Sequence, residues 1–354
     1  IYCSMSGSSA ADERKLVIKD TEVTSCKAPE PTYGTGGGVY IVGENCRMNV
    51  KLSDVKIKNN EASSSAAGLC LYGSHGATTT ADSVVLTRVT LHENKLTDTG
   101  ARGGAGMVFA TYDRDSAITL KNCTVTKNES KTFGGGISLH SSSSGLVCGK
   151  LILEVSTVSE NKAQNGGGIY VNESNLVMKN TVLTSNTATM EGGGVYVEAG
   201  TFTMKDSSRI TPSSGADGNA IGKNEVFLKN GKMITVDGAL TGTHPVARIT
   251  PAAYNTTTQV LTGGAVDTEH SKFTVTPKDL GSGNTQQWEI NSTGFLQKTP
   301  VVIDSSGDAW KKLKDAVAAA NDDDVIIIDG AIKATNSSGG KIEIKKNLTI
   351  RGKN

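Results

Sequence analysis

The sequence predicts an all-β fold: a right-handed parallel β-helix of about eight coils, three strands per coil, followed by a β-rich C-terminal cap and a short α/β module that looks like the start of a second β-helix. Three observations predict it. A segment of alternating apolar residues recurs down the chain, a glycine-rich turn with a further short strand falls between its copies, and an Asn recurs at one place in the copies.

The recurring segment starts at Leu16 (LVIKDTEVTSC), Val50 (VKLSDVKIKNN), Val84 (VVLTRVTLHEN), Ile118 (ITLKNCTVTKN), Leu151 (LILEVSTVSEN), Leu176 (LVMKNTVLTSN) and Phe202 (FTMKDSSRITP), with a weaker eighth copy near Val226 (VFLKNGKMITV). Its apolar residues alternate, as in Leu176 and Met178, so each strand has one inward and one outward face. Helical repeats of similar length would show a 3.6-residue period, and leucine-rich repeats an LxxLxL signature; neither is present. Three one-sided strands joined by turns close a triangular coil. Stacked coils pair each strand in parallel with its equivalents above and below, at a rise of roughly 4.8 Å.

Between the copies lie GGGVYIV from Gly36, GGGISLH from Gly134, GGGIYV from Gly166 and GGGVYV from Gly192. A phosphate cradle would need a helix after the glycines, and a strand follows here. Gly36, Gly134, Gly166 and Gly192 are therefore expected at coil corners, where positive φ and close backbone approach are needed. Asn60, Asn94, Asn128, Asn161 and Asn186 each follow an aliphatic residue by three places and are expected to form a structural ladder of stacked side chains. Cys26 and Ser213 stand at or near that place in the first and seventh coils, where the ladder is expected to end. The stretches 73–82, 95–102 and 141–150 read as insertions bulging from the shaft, and solenoid insertions often gather on a binding face.

The expected division is residues 1–237 as the β-helix, 238–299 as a capping or linking region and 300–354 as the helix-plus-strand N-terminal cap of a following β-helix. In the last segment, Trp310, Leu313, Val317 and Ala320 share one helical face over 308–321. Ile1 opens directly into polar sequence without a signal-peptide pattern, and we expect the chain to lie inside a longer polypeptide. No apolar run approaches the roughly 18 residues of a transmembrane segment.

Lys and Arg total 36 against 35 Asp and Glu, a balance that gives no overall electrostatic argument for nucleic acid. The cysteines at 3, 26, 46, 70, 123 and 148 form no CxxC pair, so zinc is not expected; disulfides and buried free thiols both remain open readings. The five histidines show no HxH or HExxH spacing, and no metal or cofactor is expected. A β-helical polysaccharide lyase or hydrolase would need carboxylates aligned on neighbouring coils. Asp20, Asp54 and Asp206 share a repeat position, but Arg88, Asn122, Val155 and Asn180 take it in other coils, so no acidic row forms and no catalytic residue is assigned. The cluster Tyr112–Asp115 reads as a solvated turn, and Asp322–Asp324 as a helix-terminating run.

The GGG[IV]xV turns with [ILV]xxN segments resemble the chlamydial polymorphic outer-membrane proteins, whose autotransporter-like passengers carry GGA[ILV] and FxxN repeats; here the Phe is aliphatic in every copy. Over nearly its whole length the chain is similar to large spirochaetal surface proteins with right-handed β-helix repeats, through GTFTMKDSSRITPSSG, ITVDGAL, TQVLTGGAV, KFTVTP, WEIN and the WKKLKDAVAAAN…LTIRG module. That resemblance implies an extracellular or outer-membrane surface location and an adhesive role. The expected function is a non-catalytic surface or secreted repeat protein, an adhesin or structural rod whose loops meet host matrix, a glycan or a cell-surface protein. A carbohydrate-active enzyme and a self-associating filament or layer subunit are the alternatives.

Overall fold

The computed structural model describes residues 1–9, 12–28, 37–64, 66–74, 83–97, 103–111, 116–139, 149–213, 221–281, 284–322, 324–334 and 339–353. Two compact units divide the chain: residues 1–276 with 290–295, and residues 277–289 with 296–354.

The first unit is a stack of coils whose strands line up in four sheets of ten, nine, seven and six strands. A single coil shows how. Val39–Glu44 joins the ten-stranded sheet, Arg47–Ser53 the nine-stranded, Lys56–Lys58 the seven-stranded and Glu61–Ala62 the six-stranded. The next coil repeats the circuit with Leu69–Ser74, Ser83–Thr87, Thr90–His92 and Lys95–Leu96, each pairing in parallel with its predecessor. Three strands per coil were expected; the fourth, a row mostly two residues long, was hidden because so short a segment shows no alternation.

Register is kept although copies are spaced by as many as 34 and as few as 25 residues. Val50, Val84, Ile118, Leu151, Leu176, Phe202 and Ile234 form one inward column, and every one is at most 1% exposed. A one-residue slip would turn this column out to solvent, so burial fixes register and the length differences fall in the loops. The expected eighth copy at Val226 was placed one strand too early. Val226–Leu228 pairs with Val195–Val197 in the ten-stranded sheet, and Ile234–Val236 is the strand that continues from Phe202–Met204.

The stack also runs past the expected boundary at 237. Ala247–Pro251 and Phe273–Val275 extend the ten-stranded sheet and Leu261–Thr262 the nine-stranded one. The glycine triplet that marked the earlier coils is missing from these, which made them read as a separate cap.

Two corners of each coil turn on a single left-handed residue. Asp20, Asp54, Arg88, Asn122, Val155, Asn180 and Asp206 hold positive φ between the nine- and seven-stranded sheets. Ser25, Asn59, Glu93, Lys127, Glu160 and Ser185 do so between the seven- and six-stranded sheets. One such residue bends the chain sharply without an insertion, at about 1–2 kcal/mol for a non-glycine side chain.

In the second unit, Val301–Asp304, Asp324–Asp329 and Leu348–Gly352 form a parallel three-stranded sheet. Helix Ala309–Ala319 connects the first two, and Asp308 caps it by accepting from the Lys311 N–H at 2.9 Å. Leu313 and Val317 pack on Ile303 and Ile326, with Trp310 alongside. A hairpin of Lys278–Gly281 and Asn284–Gln286 belongs to the same unit.

Candidate functional site

The corner asparagines are the most regular polar array in the coil stack. Asn60, Asn94, Asn128 and Asn161 each donate from Nδ2 to Oδ1 of the next Asn at 2.9 Å. Each backbone N–H of the same four residues donates to that same Oδ1. Nδ2 donates a second time, to the carbonyl of Val23, Ile57, Leu91 or Val125. The amide is thus saturated in both directions inside a corner with at most 1% exposure. At one end, only the backbone N–H of Cys26 joins in, donating to Asn60 Oδ1.

The other end corrects the expectation of a terminus near Ser213. Asn186 donates to Asn224 Oδ1 at 3.0 Å, so Asn224 is a further rung, while Ser213 donates to the Lys223 carbonyl. The signal was in the sequence: Ile221 precedes Asn224 by the same three places, but Ile221 is 51% exposed and belongs to no recognisable strand copy.

Gly134, Gly166 and Gly192 have φ of +56°, +65° and +67°, and a Cβ on Gly166 would lie 2.7 Å from the Ile169 carbonyl oxygen. Strands, not helices, follow them: Ile137–Leu139, Ile169–Val171 and Val195–Val197. Gly36 lies outside the described residues, as do most of the insertions at 73–82, 95–102 and 141–150 and all of 112–115. The Gly134 and Gly166 N–H groups donate to the carbonyls of Asn165 and Glu191 in the next coil. At Gly192 the Glu225 carboxylate takes the carbonyl's place, accepting from Gly192 N–H at 2.9 Å and Gly222 N–H at 2.6 Å. Sequence reasoning missed this residue. Its position gave no sign, because the coil it belongs to lacks the glycine triplet.

Glu225 also brings together the densest buried charge. Burial and the nearby Glu225 push the Glu191 carboxyl above the usual carboxylate range. Arg248 on the next strand is 3% exposed, and burial lowers its guanidinium pKa while Glu225 opposes that shift. Glu225 has no exposed surface, so its carboxylate stands within the fold rather than before a substrate. Asp20, Asp54 and Asp206 sit at the left-handed corner. Arg88 grips Asp54 with two bonds of 2.7 and 2.6 Å, which hold that carboxyl below its ordinary range. Among the described residues no group of three or more His, Cys, Asp or Glu is placed to hold a metal ion. Cys3, Cys26, Cys70 and Cys123 are free thiols; burial pushes Cys70 up to about 12 and Cys123 to about 11, so neither is a ready nucleophile.

The accessible chemistry lies on the outward face of the nine-stranded sheet. Pairing aligns a middle column of Val17, Lys51, Val85, Thr119, Ile152, Val177, Thr203 and Thr235. One flanking column includes Lys15, Asn49, Lys150, Asn175 and Thr201, and the other Lys19, Lys121, Glu154, Lys179 and Lys205. A shallow groove of about 810 Å³ follows this face, with Ile152, Val177, Thr203 and Thr235 as its floor and Lys150, Lys179, Lys205 and Asp237 among its rim.

Among the described residues, no helix is long and apolar enough to cross a membrane. No curated protein and no solved structure matches the chain. Residues 1–224 match the family model described as the right-handed β-helix region, which covers the asparagine ladder, the glycine corners and all but the last coils of the stack. The chain belongs to the right-handed β-helix family.

Proposed function

We propose that the chain is a non-catalytic segment of a bacterial surface or secreted protein, an adhesin or structural rod that presents its coil stack to a partner. The observation that carries this reading is the continuous outward face of the nine-stranded sheet, held in register from Glu13–Lys19 to Ile234–Val236. Such a face repeats the same side-chain positions every coil, which suits a binding surface for an extended partner. Two acids of the stack are engaged in structure: Glu225 closes a glycine corner and Asp54 is clamped by Arg88. The likeness of the GGG[IV]xV and [ILV]xxN segments to chlamydial outer-membrane repeats, and of GTFTMKDSSRITPSSG and the WKKLKDAVAAAN…LTIRG module to spirochaetal surface proteins, supports an extracellular or outer-surface location.

The test is a glycan and host-matrix binding array with the purified chain, followed by a reducing-end assay on every glycan bound. Binding without new reducing ends is the expected result. New reducing ends would sink the non-catalytic reading and direct mutagenesis to Glu191, the partly exposed carboxyl with the raised pKa.

A further inference from the structure

We propose that the outward face of the nine-stranded sheet binds a linear sulfated glycan laid along the coil axis. The inference deepens the adhesive reading above and rests on it. Charge is the first argument. The face and its groove carry Lys15, Lys19, Arg47, Lys51, Lys121, Lys150, Lys179 and Lys205 against Glu13, Glu154, Asp206 and Asp237. That is an excess of four positive charges on one sheet face, in a chain whose total is +1.

Three of these four acids are already occupied. Glu13 pairs with Lys15 and Arg47 at 3.3 and 3.5 Å, Glu154 with Lys121 at 3.4 Å, and Asp237 with Lys205. Among the described residues no ion pair engages Lys19, Lys51, Lys150 or Lys179. At the adjoining corner Asp54 is neutralised by Arg88, which leaves Asp20 near one end of the row and Asp206 on the groove.

Geometry is the second argument. Equivalent side chains repeat at the coil spacing of roughly 4.8 Å, close to the length of a pyranose residue. The groove spans four coils, from Lys150–Glu154 to Ile234–Val236, so its floor is roughly 14 Å long and runs along the stack. That floor offers methyl groups from Ile152 and Val177 and hydroxyls from Thr203 and Thr235, the mixture that the CH faces and hydroxyls of a sugar chain require.

The identity of the basic groups narrows the anion. Seven of the eight are lysines, point charges without the planar fork that pairs with carboxylates. A tetrahedral sulfate ester needs no such fork. Nucleic acid is disfavoured because the face carries no aromatic side chain on which a base could stack.

Titration calorimetry on the full chain tests this with a heparin-derived dodecasaccharide, its fully desulfated counterpart, a polygalacturonate oligomer and single-stranded DNA. The expected result is binding of the sulfated chain that weakens as salt rises. The other three probes should bind at least about tenfold more weakly, and the triple variant Lys150→Gln, Lys179→Gln, Lys205→Gln should lose about tenfold. The control variant Lys56→Gln, Lys127→Gln, on and beside the seven-stranded sheet, should bind as the parent does. Circular dichroism confirms that each variant keeps its β signal. Equal binding of desulfated glycan, polygalacturonate or DNA would overturn the proposal, as would full affinity in the folded triple variant. The two readings fail separately. Shortening of a bound sulfated chain would end the non-catalytic reading and keep the ligand, whereas array binding that ignores the triple variant would end the strip and keep the adhesin.

Discussion

The two left-handed corners of each coil solve the same problem with different side chains. Behind the corner between the seven- and six-stranded sheets stands Asn in coil after coil, from Asn60 to Asn186. Behind the corner between the nine- and seven-stranded sheets the residue is Val55, Val89, Cys123, Ser156 and then Thr181. There Cys123 Sγ accepts the Val89 N–H, Ser156 Oγ the Cys123 N–H and Thr181 Oγ1 the Ser156 N–H. Both corners thus satisfy buried amides of the preceding coil. The Asn amide also bonds the next Asn side chain through Nδ2, so that row propagates from side chain to side chain; a hydroxyl or thiol accepts the preceding coil's N–H and donates to a carbonyl without bonding the next side chain, and a valine does neither.

The largest effect should come from the middle of the Asn row. Asn128→Ala would strip the acceptor from both the N–H and the Nδ2 of Asn94 and leave the Leu91 carbonyl short of a donor. Buried unsatisfied groups cost about 1–3 kcal/mol each, so a loss of about 3–5 kcal/mol is expected in denaturant unfolding. Hydrogen exchange should show the loss centred on the coils of Asn94 and Asn161. A loss under about 1 kcal/mol would mean that water replaces the amide and that the row is ornamental.

The other corner should be far more forgiving. Ser156→Val installs the residue type that Val55 and Val89 already hold in earlier coils, and removes one acceptor, for the Cys123 N–H, and one hydroxyl donor, shared by the Leu120 and Glu154 carbonyls. About 1 kcal/mol of destabilisation is expected by the same unfolding measurement. If Ser156→Val costs as much as Asn128→Ala, the distinction between a propagating row and local acceptors fails.

A change of similar size, of opposite sign, concerns the corner residue itself. Val155 has φ +49° and is 58% exposed, while Asn122 and Asn180 hold the equivalent place in the flanking coils. A β-branched residue in this region is strained, whereas Asn tolerates it. Val155→Asn should therefore stabilise the chain by about 1 kcal/mol. A neutral or negative change in unfolding midpoint would show that the Val155 side chain gives back in packing what its backbone loses.

These corners also show what could be read in advance. The inward columns and the Asn row were legible because burial on every coil demands one residue class at one spacing, as at Leu151, Leu176 and Asn161. The fourth sheet and the later coils were not, because Glu61–Ala62 is too short to alternate and Ala247–Pro251 follows no glycine triplet. Asn224 and Glu225 were missed for a related reason: Asn224 follows no recognisable strand copy, and Glu225 stands where other coils use a backbone carbonyl. The lysine strip escaped notice because neutrality of the whole chain hides a sheet face that is strongly positive, and only pairing register brings Lys19, Lys51, Lys150 and Lys179 onto one side.

The smallest effect belongs to the one charged clamp at the left-handed corner. Asp54 accepts both guanidinium bonds from Arg88, and they set its carboxyl below the ordinary value of 3.8. A lowered carboxylate pKa contributes stability above the unfolded value and loses it as pH falls through the folded value. Both side chains are well exposed, so the contribution is screened and acid unfolding of the whole chain should barely register it. The carboxyl itself reports more sharply. In the Arg88→Gln chain, the Asp54 side-chain carbon followed by nuclear magnetic resonance should titrate at a higher pH than in the parent, near the ordinary aspartate range. An unchanged midpoint would mean that the left-handed backbone at Asp54, and not the neighbouring coil's guanidinium, sets the charge at that corner.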